Sequence, residues 1–428
     1  MATLQSTATT PGRGSRLWRL LLRFLAVTGP GLVVAFADTE AGSITTAAQS
    51  GAQYGFKLIL LQLLLIVPLF VVQEMTVRLG VVTGKGHARL IREHYGLGWA
   101  WVSLGTMLVT NIAALVTEFA GIAGAALIFG LPPAPFVLLA AALLIVVIFT
   151  ASYKRAERFA FALCLVELLF IPAAFAAHPP MHDVVMKGIF GSQPLSDFNY
   201  MLLIASNIGA VIMPWMIFYQ QSATVDKGLR LPDLNFARLD TALGAVFTQV
   251  IMCAVIVMCA ATLFVHKIPV SDAAHAAIAL EPLVGHLAGV TFGVALIGAS
   301  MLGAFVVSLA TAWAFGEAFG WRCSLNDGLR AKRFSALYVG CVAIAAGIVL
   351  IPNLPLIQIT LNVEAFNGFV LPIVLGFLLV LVNDKRVVGE RRNKPLGNAI
   401  TFGLSAVIIV LGLWMAFQTI QTLLHPGT

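Results

Sequence analysis

Residues 28–52 of the 428-residue chain have the sequence TGPGLVVAFADTEAGSITTAAQSGA, and the fold prediction starts from this stretch. It is apolar enough for a membrane helix, yet Asp38 and Glu40 lie near its middle, followed by Gly42 and several hydroxyl side chains. Polar backbone groups inside a bilayer need partners, so non-helical backbone occurs there only where it lines a cavity or is covered by protein. The stretch therefore predicts a transmembrane helix that is broken near its centre.

A second apolar segment carries the same kind of interruption. Residues 207–215 have the sequence NIGAVIMPW, and QQS follows at 220–222. Pro214 removes one backbone donor, and its ring clashes with the preceding turn of a helix. A second broken helix is therefore expected around Pro214.

The composition places both segments in an all-α polytopic membrane protein. Hydrophobic residues make up 59% of the chain and charged residues 11%, whereas soluble domains carry about 25% charged residues. Apolar runs of about 20 residues, long enough to span a bilayer, recur from end to end. About eleven transmembrane helices are predicted, near residues 24–52, 56–80, 97–129, 134–151, 156–177, 198–224, 239–265, 286–319, 334–351, 355–382 and 397–423.

The net charge of +7 fits this topology. If the N-terminus is cytosolic, all 26 Lys and Arg residues except Lys57, Lys187 and Lys267 fall on cytosolic segments or the adjoining helix ends. This asymmetry is the positive-inside pattern. We therefore expect a multi-pass protein of the cell membrane with a cytosolic N-terminus and an external C-terminus. The expected partners are the lipid bilayer and no nucleic acid, and the expected state is a monomer or weak dimer.

The positions of the two breaks predict an inverted repeat. Five predicted helices begin with the first broken helix and another five begin with the second, and an odd number per repeat reverses the second copy. Inverted repeats whose broken helices meet near the bilayer midplane are typical of secondary transporters. The predicted organisation is a cytosolic tail at 1–23 and one transmembrane domain at 24–428. Within that domain, repeat one covers about 24–177, repeat two about 198–382, and an extra helix about 397–423.

These segments resemble the Nramp family of divalent metal-ion transporters. The resemblance runs ungapped through residues 28–52, is strong at 78–85 (RLGVVTGK) and recurs at 209–214 (GAVIMP). Glu118 stands where the family has an acidic residue on its proton path. The resemblance implies a leucine-transporter-type fold, a divalent metal ion as transported substrate, no cofactor and no enzyme activity. No nucleophile–base arrangement, phosphate loop or dinucleotide fingerprint in the sequence points to an enzyme.

The sequence departs from the family pattern at several places, and three of these departures concern the predicted site and the coupling path. The family's Asp-Pro-Gly-Asn is replaced by EAGS at 40–43, and Met-Pro-His by MPW at 213–215. Gly121 stands in place of a second acid on the third helix. The chain therefore looks most similar to an outlying, Nramp-related branch that carries magnesium, in which the proton-coupling apparatus is reduced.

Six residues are predicted to bind the metal ion. Joint ligation by both acids needs an unwound backbone, because positions i and i+2 point apart on a helix. Ser43 either ligates through water or caps the second half-helix. Met213 either favours softer transition metals or packs beside a hydrated ion, whereas the oxygen donors suit magnesium. A broad site for Mg²⁺ and Mn²⁺ is expected, formed by Glu40, Asp38, Ser43, Met213 and the carbonyls of Ala37 and Ala210.

Six further residues are expected to act in coupling or to line the cavity: Trp215, Glu118, Gln220, Gln221, Glu364 and Asn367. Histidine titrates near neutral pH, but tryptophan cannot accept a proton, so weak or absent proton coupling is expected. Glu167 and Glu317 are isolated acids in apolar segments, and structural pairing is expected for both.

The sequence thus predicts a secondary transporter that moves divalent cations by alternating access. Three alternatives remain open. The first is a proton-coupled transition-metal importer of the ordinary Nramp type. The second is a carrier of an organic solute or a monovalent ion with the same fold. The third is a membrane sensor that no longer transports.

Overall fold

The computed structural model describes residues 13–150, 152–270, 273–352, 354 and 356–424. Helices joined by short turns account for this part of the chain, and it contains no strand. The first half forms α1 Arg13–Val27, α2 Pro30–Ala37, α3 Ala41–Tyr54, α4 Ile59–Thr83, α5 His87–Tyr95, α6 Leu97–Ile128, α7 Pro133–Ile148, α8 Tyr153–Glu167, α9 Phe170–Ala176 and α10 Met181–Gly188. The second half forms α11 Phe198–Val211, α12 Pro214–Asp226, α13 Leu234–Cys259, α14 Ala273–Val284, α15 His286–Phe319, α16 Lys332–Val349, α17 Leu356–Asn383, α18 Lys385–Val388 and α19 Pro395–Leu424.

Each of the eleven predicted membrane segments is helical in the described residues. Within the described ranges, eight helical stretches are long and apolar enough to cross a membrane. A ninth is formed if Trp18–Val27 and Pro30–Ala37, which meet at 51°, are taken as one span. This number is lower than eleven because residues 41–83 form one long stretch, and because Pro133–Ile148 and Val370–Asn383 are shorter apolar helices.

Helices in equivalent positions of the two repeats pack against one another. α3 contacts α11, α4 contacts α13, α6 contacts α15 and α7 contacts α16. Around these pairs, α13 also packs on α2 and α3, and α15 also packs on α8 and α12. The two interrupted segments, α2/α3 and α11/α12, are therefore enclosed by the helices that follow each of them.

The start of α2 is held by close packing and by a buried carboxylate. A Cβ at Gly244 would lie 2.7 Å from Ala35 Cβ and 2.9 Å from the carbonyl oxygen of Gly31, so the close packing of α2 on α13 requires glycine at position 244. The backbone N–H groups of Gly29 and Gly31 donate to Asp240 Oδ2 at 3.2 and 2.7 Å. A carboxylate satisfies the free N–H groups at a helix N-terminus and complements its dipole. This contact fixes the first half of the broken helix on α13.

Candidate functional site at the two helix breaks

The first break separates α2 from α3 at Asp38, Thr39 and Glu40. In a continuous helix the Ala41 N–H would bond to the carbonyl of Ala37, four residues earlier. Instead, the Ala41 nitrogen lies 3.4 Å from Glu118 Oε2, on α6. The Ala37 carbonyl thereby leaves the helical ladder at the point where two acids interrupt it.

The second break separates α11 from α12 at Ile212 and Met213. Pro214 has no N–H to offer the carbonyl of Ala210, which is four residues earlier. The Ala210 oxygen accepts a hydrogen bond from Ser43 Oγ at 2.9 Å instead. This bond joins the two breaks directly, so the prediction that both helices are interrupted is confirmed.

Both acids of the first break are buried. Asp38 is 1% exposed and Glu40 is 0% exposed. Asp38 Oδ2 lies 3.4 Å from Gln73 Nε2 on α4, and Asp38 Oδ1 has no hydrogen-bond partner among the described residues. Burying an ionised carboxylate costs several kcal/mol unless a cation or donors compensate it. The break therefore suits a positive charge.

Two further carboxylates reach the same break from neighbouring helices. Glu118 faces the start of α3, and Glu167 on α8 accepts a hydrogen bond from Thr39 Oγ1. Thr39 Oγ1 also lies 2.6 Å from the carbonyl oxygen of Phe36. Glu167 is structurally paired, as expected, but its partner belongs to the broken helix itself.

The sequence signal for Glu167 was a single acid within the apolar run LCLVELLF at 163–170. For Gln73 it was a single amide in FVVQEM at 70–75, which sequence reasoning did not single out. Neither run indicates where the polar side chain points, because that depends on helices distant in sequence.

The thioether of Met213 is in contact with the side chain of Trp215. The indole Nε1–H donates to Met213 Sδ at 3.0 Å, and both residues are buried. In this conformation the sulfur therefore already accepts a hydrogen bond. The oxygen atoms nearest the two breaks are those of carboxylates, a hydroxyl and backbone carbonyls.

The remaining predicted residues lie farther from the breaks. Gln220 Nε2 donates to Thr241 Oγ1 on α13 at 3.2 Å, and Gln221 Nε2 donates to the carbonyl of Lys85 at 2.8 Å. Asn367 is buried on α17, and its amide atoms have no hydrogen-bond partner among the described residues. The side chain of Glu364, on the same helix, lies outside the described part of the structure.

The position where the family pattern has a second acid is sterically filled. A Cβ at Gly121 would lie 2.4 Å from Ser300 Oγ and 2.6 Å from Ala41 Cβ. α6 therefore packs against α3 and α15 at a distance that only glycine permits. The local packing thus explains why glycine, and not the family's acidic residue, occupies position 121.

The junction of the two breaks is buried in this conformation. Ser43, Ala210 and Met213 are 0% exposed. Below α2, toward the predicted cytosolic side, a cavity of only about 10 Å³ remains beside Tyr153 and Tyr219, which is at the lower limit for one water molecule. Across the described ranges, no three His, Cys, Asp or Glu side chains lie close enough to hold a metal ion. A cation at the break would therefore need carbonyl, hydroxyl or water oxygens as well.

Two interrupted helices that meet inside paired five-helix repeats define a membrane transporter of the inverted-repeat class. Within that class, the chain belongs to the Nramp family. The family model described as natural resistance-associated macrophage protein-like matches residues 31–418.

Similar proteins support both the family and the fold. The divalent metal cation transporter MntH of Ralstonia nicotianae is 27% identical over 94% of this chain and 92% of its own length. The solved structure of the Eremococcus coleocola manganese transporter superposes with a TM-score of 0.72 at 19% identity, covering 100% of this chain and 92% of that one. MhsT, solved in complex with L-phenylalanine, superposes with a TM-score of 0.64 at 15% identity, covering 90% and 97%. The predicted family and fold are confirmed.

Proposed function

We propose that this chain carries divalent cations across the cell membrane by alternating access, with Mg²⁺ and Mn²⁺ as the favoured ions. The observation that carries the proposal is the junction of the two breaks. Two buried acids, Asp38 and Glu40, lie beside a hydroxyl that bridges to the freed carbonyl of Ala210. A dication would compensate the buried negative charge. The similarity to MntH of Ralstonia nicotianae, a divalent metal cation transporter, supports the same proposal.

The donor atoms favour hard cations. Magnesium takes oxygen ligands in near-octahedral geometry and keeps several waters, and softer metals gain more from a thioether. Because the sulfur of Met213 accepts the indole N–H of Trp215, the proposed ligands are the oxygens of Asp38, Glu40 and Ser43, together with backbone carbonyls. Manganese, which oxygen donors also suit, fits the same set.

Ion binding would act on the bond that links the two breaks. The Ser43 hydroxyl and the Ala210 carbonyl are 2.9 Å apart, so an ion ligated by both oxygens would replace that hydrogen bond. One ion would then join the two repeats through their breaks. Opening on either side would proceed around this fixed point, as in other inverted-repeat carriers.

Weak or absent proton coupling is part of the proposal. Trp215 has no titratable group, and Gly121 leaves no space for an acid. A cell interior negative by ~100 mV supplies about 2.3 kcal/mol per charge, or about 4.6 kcal/mol for a dication. Uptake can therefore proceed on the membrane potential alone. The proposal also places the N-terminus on the cytosolic side and treats residues 24–428 as one transmembrane domain.

Proton-coupled metal import is the second candidate. Glu118 and Glu167 favour it, because both carboxylates reach the broken helix from neighbouring helices and could carry a proton past the ion. Transport of an organic solute is the third candidate. It rests on the fold alone, because the structurally similar MhsT was solved with L-phenylalanine bound.

The test is flux into proteoliposomes with internal pH recorded. Mg²⁺, Mn²⁺, Ca²⁺ and L-phenylalanine are supplied in turn under an inside-negative potential. We expect uptake of Mg²⁺ and Mn²⁺ with no internal acidification, and a loss of at least about tenfold in D38N and E40Q. E93Q is the matched control, because Glu93 is half-exposed and pairs with Lys85 and Arg89.

Each other outcome selects a different function. Acidification in step with metal uptake would support the proton-coupled candidate. Uptake of L-phenylalanine in place of metals would support the organic-solute carrier. If no substrate moves, or if D38N and E40Q both transport at the unaltered rate, the proposed site is wrong.

A further inference from the structure

A large cavity lies away from the helix breaks, on the face that the charge pattern predicts to be cytosolic. It has a volume of about 670 Å³ and is enclosed by the end of α4, the start of α13, and the loop that leads into α19. None of the residues at the two breaks lines it. The transport site therefore does not account for this cavity.

Basic side chains dominate the polar part of the lining. Five contribute, against the two carboxylates of Glu74 and Glu390. Glu74 is already paired with Arg78 at 3.0 Å and Arg238 at 2.8 Å, and Glu390 with Lys385 at 3.0 Å. The cavity thus has a net positive lining, from Arg78, Arg238, Arg391, Arg392 and Lys394.

The basic loop is fixed in place by a buried arginine. Arg78 Nη1 donates to the carbonyl of Arg391 at 2.9 Å, and Arg78 Nη2 donates to Asn393 Oδ1 at 2.8 Å. Asn393 in turn bonds through its backbone N–H to the carbonyl of Val382 at 3.2 Å. The loop wall is therefore formed before any ligand arrives, which reduces the entropy cost of binding.

The opposite part of the lining is apolar and belongs to membrane helices. Phe70 and Val71 lie on α4, and Leu396 and Ile400 lie on α19. Leu396 is 71% exposed, so this side of the cavity is open at the level where the helices enter the bilayer. A soluble anion would make no favourable contact with this apolar surface, whereas an acyl chain would pack against it.

We propose that this cavity binds an anionic phospholipid of the predicted cytosolic leaflet. The phosphate would lie among Arg238, Arg392 and Lys394, and the acyl chains would follow Phe70 and Leu396 toward the bilayer. Basic pockets between transmembrane helices on the cytosolic side are suited to acidic headgroups. The bound lipid would join α4, α13 and α19 at one membrane surface.

The experiment measures lipid retention. The full chain, purified in detergent, is mixed with equal amounts of phosphatidylglycerol and phosphatidylcholine, and bound lipid is counted by native mass spectrometry. We expect retention of phosphatidylglycerol over phosphatidylcholine. Each basic side chain near an anionic headgroup contributes roughly fivefold, so R238Q/R392Q/K394Q should weaken retention on the order of 100-fold.

Two variants and a competition series separate the possible causes. The charge-keeping R238K/R392K/K394R should retain the lipid, and K154Q/K332Q/R333Q, which removes three exposed charges elsewhere on the same face, should leave retention unchanged. Inorganic phosphate and glycerol 3-phosphate at millimolar concentration should compete weakly, because they lack acyl chains.

Three results would overturn the proposal. The first is equal retention of both lipids by the unaltered chain. The second is full displacement of the lipid by inorganic phosphate, which would indicate a free-phosphate site. The third is unchanged retention in R238Q/R392Q/K394Q. The unaltered chain alone supplies the first two results, so the test does not depend on how well that variant folds.

Discussion

At the residue scale, each break releases one backbone carbonyl for a specific local reason. Pro214 lacks the N–H that would bond to Ala210, and the Ala41 N–H faces Glu118 instead of Ala37. Carbonyls at the C-terminal ends of half-helices carry partial negative charge. Two released carbonyls beside Asp38 therefore concentrate negative potential at one buried point. Substitution of a residue that bridges the breaks should therefore affect metal binding most.

Removal of the Ser43 hydroxyl, which bridges the two breaks, tests whether the oxygen atoms gathered there bind the metal ion. S43A deletes the bond to the Ala210 carbonyl, which should cost about 0.5–1.5 kcal/mol of stability and should weaken metal uptake at low metal concentration. Flux at varied Mn²⁺ gives the half-saturating concentration, and thermal unfolding gives the stability. T46V is the control, because Thr46 Oγ1 bonds within its own helix to the Gly42 carbonyl at 3.0 Å. Equal half-saturating concentrations in S43A and T46V would count against a role for Ser43.

Ion preference should depend on the contact between Met213 and Trp215. W215F keeps an aromatic ring but removes the N–H that occupies the sulfur at 3.0 Å. The freed thioether should then raise uptake of soft Cd²⁺ relative to Mg²⁺ severalfold. Competition flux with both ions measures the ratio. W215F/M213L should lose the gain, and a gain that persists without the sulfur would contradict the explanation.

At the element scale, α6 approaches its neighbours through a single glycine. G121A would place a methyl group 2.4 Å from Ser300 Oγ, and overpacking of this kind costs about 1–3 kcal/mol. We expect a lower unfolding temperature and reduced metal flux. G105A is the matched control on the same helix, where nothing lies within 4 Å of the added Cβ. G105A should be neutral or should stabilise the protein by up to about 1 kcal/mol. If G121A leaves stability and flux unchanged, the packing around Gly121 is adaptable and the explanation is wrong.

The short helix α5 should make stability depend on pH. Burial lowers the pKa of His87 to about 4, although its hydrogen bond with Gln221 opposes the shift. An unfolded histidine titrates near 6.5, so the unfolded chain binds more protons between these values. Stability from His87 is therefore complete above about pH 6.5 and falls as the pH drops toward 4, by about 2 kcal/mol at pH 5.

The measurement is the loss of stability between pH 7 and pH 5 in thermal unfolding, compared between H87Q and the unaltered chain. H87Q should lose less stability on acidification than the unaltered chain does. H182Q is the control, because His182 is 84% exposed on α10. An H87Q variant that loses as much as the unaltered chain would show that the histidine is not the titrating group.

The elements were predictable where local chemistry determines them, and the contacts between them were not. Pro214 and the acids at 38 and 40 are local signals, so both breaks follow from the sequence. Ser43 and Ala210 are 167 positions apart, and Thr39 and Glu167 are 128 apart. No local pattern states which polar atoms such distant segments bring together, because tertiary packing decides it.

At the scale of the whole molecule, α2 is held closed by charges contributed by both repeats. Lys227, just after α12, donates to the Thr28 carbonyl and to Glu157 Oε1 on α8, each at 2.6 Å. Asp240 on α13 holds the neighbouring glycine N–H groups. These contacts lie at the predicted cytosolic end, beside the cavity that is too small to admit a hydrated ion. The proposed alternating access would require this end of α2 to separate from α8 and α12.

Removing the ion pair of Lys227 should therefore favour the inward-open state. K227M deletes both hydrogen bonds, so α2 should separate more often from α8. The readout is labelling of V33C, which lies in the wall of the closed cavity, by a membrane-impermeant thiol reagent applied to inside-out vesicles. We expect severalfold faster labelling in V33C/K227M than in V33C alone. V33C/K187M is the matched control, because it removes a lysine that pairs with Asp183 on the exposed helix α10. Equal labelling rates in all three chains would mean that the pair does not restrain α2, and that closure rests on the packing of α2 against α13.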